Sequence, residues 1–140
     1  MLKTLKEKLL ELGLRQTRLR ALLADFLDSA SEPLSVPELN RLLLKHKNQA
    51  NKTSIYRELA FLIKHDLVRE VEFGEGKKRY ESALLPHHHH LICQKCQQVT
   101  DVTLGSGAEM IAWEKLISAK AGFKVTNHLL EFFGFCQKCR

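Results

Sequence analysis

Four cysteines and a run of histidines are the residues with the clearest chemistry in this 140-residue chain. Cys93 and Cys96 form one Cys-x-x-Cys pair, and Cys136 and Cys139 repeat the same spacing near the carboxyl end. Each pair lies on a tight turn that points both sulfurs the same way, so the two pairs offer four thiolates to one tetrahedral ion. Zinc suits this ligand set best. We therefore predict a structural zinc site made of the four cysteines.

Two other uses of the cysteines compete with the zinc site. Disulfides are one, but we expect no signal peptide, and a Cys-x-x-Cys pair in a cytosolic chain is more often a metal clamp. A redox pair is the other, and it normally stands where a strand leads into the helix of a thioredoxin-like unit. The sequence around these cysteines does not have that pattern, so the metal site is favoured.

The histidine run, His87 to His90, ends two residues before the first cysteine pair. Successive side chains on a strand point to opposite faces, so His87 and His89 share one face while His88 and His90 share the other. We favour two different metal sites, each completed by carboxylates or imidazoles from elsewhere, over four solvated histidines. Imidazole with carboxylate suits zinc, iron(II), manganese and nickel about equally, so the ligands alone do not identify the ion.

Length and charge set the frame for these sites. The chain can make one domain of ordinary size or two small ones, and we predict two, at residues 1–84 and 85–140. The formal net charge of +6 lies mostly in the first half and favours a polyanionic partner. No apolar run approaches the length of a transmembrane helix, so we expect a soluble, cytoplasmic protein without a membrane partner.

The first domain is predicted to be a winged helix-turn-helix. Leucines at helical spacing form a first helix that stops at Gly13, and Thr17 can cap the second helix. Ser35 to Glu38 form a capping box for the third, and apolar residues from Ile55 to Ile63 mark the fourth. Residues 68–73 and 77–82 then read as two strands joined by Gly74-Glu75-Gly76, which makes the wing.

This architecture predicts a surface for double-stranded DNA. The last helix before the wing enters the major groove, while the wing and the basic first arm hold phosphates. Solvated side chains are the alternative for each single basic residue. The predicted contacts are Arg15, Arg18, Ser54, Tyr56, Arg57 and Lys77.

The second domain is predicted to be a small α/β unit, which makes the whole chain α+β. Residues 87–93, 99–104 and 123–133 read as strands, and residues 106–121 read as a helix. The helix should bury most of its apolar side chains, which are Met110, Ile111, Trp113, Leu116 and Ile117. A unit of this size is too small to be comfortable alone, so we expect it to pair with a second copy through its sheet edge and form a homodimer.

With these elements placed, the chain resembles the ferric uptake regulator family of metal-dependent transcriptional repressors over nearly its whole length. The resemblance is carried by an ordered set of motifs, and together they are highly specific. The motifs are Gly13-Leu14-Arg15-Gln16-Thr17, Thr53-Ser54-Ile55-Tyr56-Arg57, Arg79-Tyr80-Glu81, the stretch from His87 to Cys96, Asn127-His128 and Gly134-Phe135-Cys136-Gln137-Lys138-Cys139.

The resemblance implies three metal sites. The four cysteines match the family's structural zinc site. The regulatory ion, which the family holds between its two lobes, is implied to bind Glu81, His88, His90 and Asp101. A further site in the second lobe is implied to use His87, His89, His128 and a glutamate. A strict offset places that glutamate at Ile111, so we assign Glu109 and keep Glu114 as the alternative.

The chain also departs from the family's pattern. Pro33 or Leu34 stands where many members contribute a histidine to the regulatory site, and Gln97 replaces a usual glycine. Zinc-sensing members often have a cysteine in the hinge, which here reads Ser82-Ala83. The histidine run nevertheless resembles that of zinc-sensing members, so the sensed ion stays open between zinc and iron(II).

The function predicted from these observations is a dimeric repressor that binds a palindromic DNA operator when its regulatory site is filled. A peroxide-sensing regulator of the same family is one alternative. A zinc-dependent hydrolase is another, but the chain has no HExxH helix or comparable signature. A metal-storage protein is the third, and it leaves the winged-helix half without a use.

Overall fold

The structure is a computed structural model that describes residues 2–74 and 76–140. Glu75, in the predicted wing loop, lies outside the described residues. The chain divides into two compact units, a first unit that ends at Leu85 and a second unit that begins at Pro86. The sequence-based boundary lies one residue earlier.

The first unit contains four helices and a three-stranded sheet, and the second contains one helix and a second three-stranded sheet. The elements of the first unit are α1 (Leu5–Glu11), α2 (Arg18–Ser29), β1 (Leu34–Ser35), α3 (Val36–Lys45), α4 (Lys52–Lys64), β2 (Val68–Glu72) and β3 (Lys78–Ser82). Those of the second unit are β4 (His89–Cys93), β5 (Val99–Val102), α5 (Ala108–Ala121) and β6 (Glu131–Gly134).

The helices of the first unit begin at residues that satisfy their free backbone N–H groups. The side-chain oxygen of Thr17 accepts a hydrogen bond from the N–H of Arg20, which confirms the predicted cap of α2. At α3, the N–H and hydroxyl of Ser35 both donate to the Glu38 carboxylate, at 2.7 and 2.8 Å, as expected for the predicted capping box. Gly13, at φ +66°, follows α1 in the left-handed conformation that ends a helix.

Apolar side chains from all four helices meet in one core. The predicted leucine stripes supply it, and most of its members are less than 2% exposed. The sheet covers this core with antiparallel strands in the order β1-β3-β2. Strand β1 is only two residues long, too short to give a periodic signal, and it was not predicted. The largest apolar side chains of this unit that are fully buried include Leu5, Leu9, Leu23, Leu27, Leu39, Leu43, Ile55, Leu59, Leu62 and Leu67.

An ion pair joins helix α4 to helix α2 within the first unit. Arg20 of α2 donates from Nε to the Glu58 carboxylate of α4 at 2.7 Å, and both side chains are largely buried. The Arg20 guanidinium also lies 3.7 Å from the centroid of the Phe61 ring. Helix α4 is therefore held with Ile55, Leu59 and its other apolar residues toward the core.

The sheet of the second unit has the order β5-β4-β6. Strand β4 is antiparallel to β5 and parallel to β6, and a parallel neighbour requires a crossover, which here contains α5. The register places His90 beside Asp101 on one neighbouring strand and beside Glu131 on the other. The central strand therefore carries His89, His90 and the first cysteine between two partner strands.

Two predicted features of the second unit are wrong. The predicted strand at residues 123–133 is reduced to Glu131–Gly134, because β6 pairs only with the four residues of β4 beside it. Four of the five helix side chains expected in a core are exposed instead: α5 has no buried residue, and Trp113 is 58% exposed. Within the described part of this unit, no second layer covers the helix. The first predicted strand also begins two residues later, at His89.

None of the helices in the described chain is long and apolar enough to cross a membrane.

Candidate metal centres and DNA-binding surface

The four cysteines converge at one end of the second sheet. Cys93 ends β4, Cys96 lies in the turn that follows, and Cys136 and Cys139 follow β6. The N–H of Gln94 donates to the carbonyl of Gly134, which holds the two cysteine loops together. All four sulfurs lie within 4.8 Å of one another.

The sulfur separations fit a tetrahedral ion. The Sγ atoms of Cys96 and Cys136 are 3.7 Å apart, and the four cysteines form no disulfide. Zinc–sulfur bonds of about 2.3 Å place two sulfurs of a tetrahedron about 3.8 Å apart. The four-cysteine cluster is therefore consistent with a tetrahedral zinc site.

The protonation of the cysteines also indicates a cation site. Backbone N–H groups of Cys136 and Cys96 donate to the Cys93 sulfur and lower its pKa to about 6. A hydrogen bond to Cys136, together with burial and the other sulfurs, raises the pKa of Cys139 to about 12. The thiolate of Cys139 is therefore disfavoured by its neighbours, and a divalent cation held by the four sulfurs would offset this repulsion.

One group of three histidines lies together on one face of β4. The side chains of His87, His89 and His128 each bring one ring nitrogen within 4.8 Å of the other two. The Nε2 atoms of His87 and His89 are 3.2 Å apart. His87 lies in a bend two residues before the strand, and its ring nevertheless lies beside that of His89, as the predicted alternation requires. We call His87, His89 and His128 the tri-histidine set.

Two of the three histidines in this set have an acceptor at the outer nitrogen that orients the ring. The Nδ1 atom of His89 is 3.2 Å from the Leu130 carbonyl, and that of His128 is 2.7 Å from the Glu114 carboxylate. A carbonyl only accepts, so the proton of neutral His89 lies on Nδ1 and its Nε2 lone pair is free for a metal. The Nε2 of His128 is buried and has no hydrogen-bond partner. Burial, reinforced by the neighbouring imidazoles, lowers the pKa of His89 and favours its neutral, ligating form.

The glutamate that contacts this set is Glu114, the alternative to the assigned Glu109. Glu114 contacts His128, whereas Glu109 does not join the cluster and instead has its carboxylate near Gly105. Glu109 lies in the first turn of α5 and Glu114 more than one turn later, which brings Glu114 level with His128. Its bond to Nδ1 places Glu114 behind the imidazole, the usual position of a carboxylate that orients a metal-binding histidine.

A second set forms on the opposite face of β4, and we call His88, His90 and Asp101 the regulatory set. The Nε2 atoms of His88 and His90 lie 3.9 and 3.6 Å from the two carboxylate oxygens of Asp101. Ligands about 2.1 Å from a tetrahedral ion are about 3.4 Å apart, so these atoms are close to coordinating positions. The Nδ1 of His88 donates to the Pro86 carbonyl at 2.7 Å, which leaves its Nε2 lone pair for the ion.

Two other acidic residues complete the account of the predicted regulatory site. Glu81 lies in β3 of the first unit, is 5% exposed and forms an ion pair with Arg69. Its assignment to the regulatory ion remains a prediction from the family resemblance.

Glu131 was not predicted at all: it is a buried carboxylate whose Oε1 lies 3.7 Å from Nδ1 of His90. Alternation within 123–133 carries no signal for it, because the residues around it are apolar.

The predicted DNA contacts lie on the first unit, and most of them are exposed. Tyr56 and Arg57 project from the solvent side of α4, Ser54 is partly buried, and Arg15, Arg18 and Lys77 are exposed. A groove of about 330 Å³ also runs between the start of α4 and the wing. Its lining also includes Lys78 of the wing, and it adds Lys52, a lysine that sequence reasoning missed. This face of the unit is therefore basic and concave.

Comparison with known proteins gives consistent matches. The family model described as the ferric uptake regulator family matches residues 11–133. The ferric uptake regulation protein of Neisseria meningitidis is 30% identical over 129 residues, which cover 91% of this chain and 88% of the relative. The zinc uptake regulation protein of Mycobacterium tuberculosis is 31% identical over 128 residues, which cover 91% and 96%.

A solved structure gives the same match in three dimensions. The ferric uptake regulator of Helicobacter pylori superposes with a TM-score of 0.76 at 26% identity, over 99% of this chain and 95% of that protein. That regulator is described as having three functional metal-binding sites.

Proposed function

The chain belongs to the ferric uptake regulator family of metal-sensing transcriptional regulators, and we propose that it is a homodimeric repressor that binds DNA when its regulatory set holds a metal ion. The observation that carries the proposal is the pair of histidine sets on opposite faces of β4, in which Nδ1 of His88, His89 and His128 each has a protein acceptor. Histidines that merely face solvent would form these hydrogen bonds with water instead of with protein acceptors. The family consists of transcriptional regulators rather than enzymes.

The four-cysteine cluster is proposed to hold a structural zinc ion. Bound there, zinc would join the loop after β4 to the loop after β6, and its coordination sphere would be closed by four thiolates. Such a site has no open position for a substrate or a signal. It therefore stabilises the second unit and leaves sensing to the histidines.

The regulatory ion is proposed to be zinc or iron(II). Two imidazoles and one carboxylate suit both ions, and the named relatives include a zinc uptake and a ferric uptake regulation protein. His88, His90 and Asp101 are the ligands that this unit supplies. When bound, the ion would neutralise the Asp101 charge and fix the two imidazole rings. Glu81 is added to the set by the family resemblance.

The first unit is proposed to bind double-stranded DNA through α4 and the wing. Arg57 and Tyr56 lie on the exposed side of α4, where a recognition helix meets the major groove. Arg15, Arg18 and Lys77 are proposed to contact phosphates, while Ser54 lies at the start of the same helix. In a symmetric dimer, two such helices would read the two halves of a palindromic operator.

Metal and DNA should be coupled thermodynamically. If the filled form binds the operator more tightly, the operator must raise the affinity for the ion by the same factor. A coupling of about 1 to 3 kcal/mol, or roughly 5- to 150-fold, is typical of allosteric pairs of sites.

The test measures DNA binding against metal concentration. A DNA duplex is first selected from a random pool by the zinc-loaded protein, and its affinity is then measured by fluorescence anisotropy while Zn(II), Mn(II) or, without oxygen, Fe(II) is added. We expect the sensed ion to raise the affinity within the range above. His90→Ala should abolish the increase and keep the cysteine-bound zinc.

The matched control is His46→Ala, which removes an exposed histidine at the end of α3 in the first unit. It should keep the full metal response. Equal DNA affinity with and without added metal, in protein that retains its cysteine-bound zinc, would contradict the proposed sensor.

A further inference from the structure

Glu131 is a charged residue in an otherwise apolar strand. It lies in β6 between Leu130 and Phe132, and its side chain is only 6% exposed. Removing a carboxylate from water is unfavourable unless polar partners compensate for it. The register of the parallel pair places Glu131 directly beside His90 of β4. The strand pairing itself therefore delivers a buried carboxylate to a histidine of the regulatory set.

The His90 ring lies between two carboxylates. Its Nε2 is 3.6 Å from Oδ1 of Asp101, and its Nδ1 is 3.7 Å from Oε1 of Glu131. These are ion-pair distances rather than short hydrogen bonds. The two ring nitrogens point in different directions, so Glu131 and Asp101 approach the ring from different sides. An ion that Asp101 and His88 share with His90 binds at Nε2, and Glu131 then faces the opposite nitrogen.

Three other histidines of this unit show how an acceptor at Nδ1 orients an imidazole ring. An acceptor lies at Nδ1 of His88, His89 and His128, supplied by the Pro86 carbonyl, the Leu130 carbonyl and the Glu114 carboxylate. In each case the acceptor turns the other nitrogen toward the metal-binding group. Glu131 stands in the same relation to His90.

Resting on the proposed function, we propose that Glu131 is a positioning residue of the regulatory site, which holds the proton of His90 on Nδ1 and leaves the Nε2 lone pair for the ion. The negative charge of Glu131 also makes the His90 imidazole a stronger metal ligand. It favours the partial positive charge that the ring acquires when Nε2 shares its electron pair with a cation. Outer partners of this kind typically change metal affinity by about 10- to 100-fold.

The affinity test uses Co(II), whose visible absorption reports its ligands. The background is His128→Ala with the cysteine zinc in place, so that the tri-histidine set is disabled. We expect Glu131→Ala to weaken Co(II) binding by about 10- to 100-fold with an unchanged absorption spectrum. Glu131→Gln should have a smaller effect, because it keeps a neutral oxygen acceptor facing Nδ1 and loses only the charge. Glu114→Gln is the matched control and should have wild-type affinity in this background.

Two results overturn the positioning role directly. One is wild-type Co(II) affinity in both Glu131 variants while His90→Ala abolishes binding. The other is a spectrum that changes with Glu131, since this identifies the carboxylate as a direct ligand. If His90→Ala itself leaves the affinity unchanged, the proposed sensor is wrong and the role of Glu131 is wrong with it.

A spectroscopic measurement keeps the test valid if the Glu131 variants fail to fold. The sample is wild-type protein that holds zinc at the four cysteines and no ion at the histidines. In it, nitrogen-15 NMR distinguishes the two neutral tautomers of His90, with the proton on Nδ1 or on Nε2. We expect the proton on Nδ1. A proton on Nε2 would contradict the proposal without any variant.

Discussion

The two units of this chain are stabilised by different means. The first unit surrounds a core of leucine and isoleucine side chains that come from four helices, and most of them are fully buried. The second unit buries few apolar side chains, among them Ile92 and Val99, and its helix α5 has none that are buried. Its buried polar residues include His89 and His90, which belong to the metal-binding sets.

The difference shows where the second unit must obtain its stability. A buried leucine or valine contributes about 1.5 to 3 kcal/mol, and the second unit has few such contributions within the described chain. It has instead a cysteine cluster suited to zinc and an exposed apolar surface on α5 and β6. The exposed members are Ile111, Trp113, Leu116, Ile117, Phe132 and Phe133. Bound metal ions and contact with a second copy of the chain are therefore expected to stabilise the second unit, whereas the first unit is stabilised by its own apolar core.

The largest effect should follow loss of the structural zinc. Cys93→Ser should release the ion and unfold the second unit, because zinc binding contributes on the order of 10 kcal/mol to the folding of small zinc domains. The first unit should keep its own stability. Zinc analysis and amide hydrogen exchange, followed separately in residues 2–74 and 86–140, measure both outcomes.

The control for this change is Lys95→Ala, an exposed residue between the two cysteines of the first pair. It should keep the zinc and the exchange protection. Retention of zinc and of the native melting temperature in Cys93→Ser would show that the cysteines do not form the proposed clamp.

The sequence predicted the first unit more fully than the second, for a physical reason. Its helices bury one face against one another within the chain, so the leucine spacing and caps such as Thr17 and Ser35 report the packing directly. In α5 the same apolar spacing predicted a core that the single chain does not form, because periodicity identifies an apolar face and not what covers it.

The metal sites divide in the same way. Fixed spacing revealed the cysteine clamp, and strand alternation separated the two histidine sets. Glu114 and Glu131 depend on contacts between distant segments, through α5 and the β4–β6 register. Short-range patterns carry no information on such pairings, so the partner of His128 stayed open between two glutamates and that of His90 was missed.

An intermediate effect should follow the same substitution made once in each unit. Leu43 of α3 is fully buried, so Leu43→Ala should destabilise the first unit by about 2 to 5 kcal/mol. Leu116 of α5 is 52% exposed, so Leu116→Ala should change the stability of the isolated chain by less than about 0.5 kcal/mol. It should instead weaken association of two copies. Denaturant unfolding and sedimentation equilibrium separate the two effects.

Fluorescence assigns each change to its unit. The single tryptophan, Trp113, lies in the second unit, and both tyrosines, Tyr56 and Tyr80, lie in the first. Unchanged self-association in Leu116→Ala would argue that a second copy does not cover this part of α5.

The smallest effect concerns the capping box of α3, and it gives the first unit a pH dependence that requires no metal. Burial of Glu38 opposes its charge, but the N–H and hydroxyl of Ser35 and the nearby Arg79 outweigh burial and lower the pKa of Glu38 below its ordinary value of 4.5. A carboxyl whose pKa is lower in the folded state stabilises that state above its unfolded pKa. This contribution is lost as the pH falls through the lower, native value.

Glu38→Gln should therefore cost about 0.5 to 2 kcal/mol at neutral pH, and the difference from wild type should shrink below about pH 4. Glu72→Gln, at the exposed end of β2, is the matched control and should show no such trend. Tyrosine fluorescence during urea unfolding at each pH confines the measurement to the first unit, since acid also protonates the cysteines and histidines of the second. A constant difference between wild type and Glu38→Gln from pH 3 to pH 7 would mean that the ionised carboxylate contributes nothing to this cap.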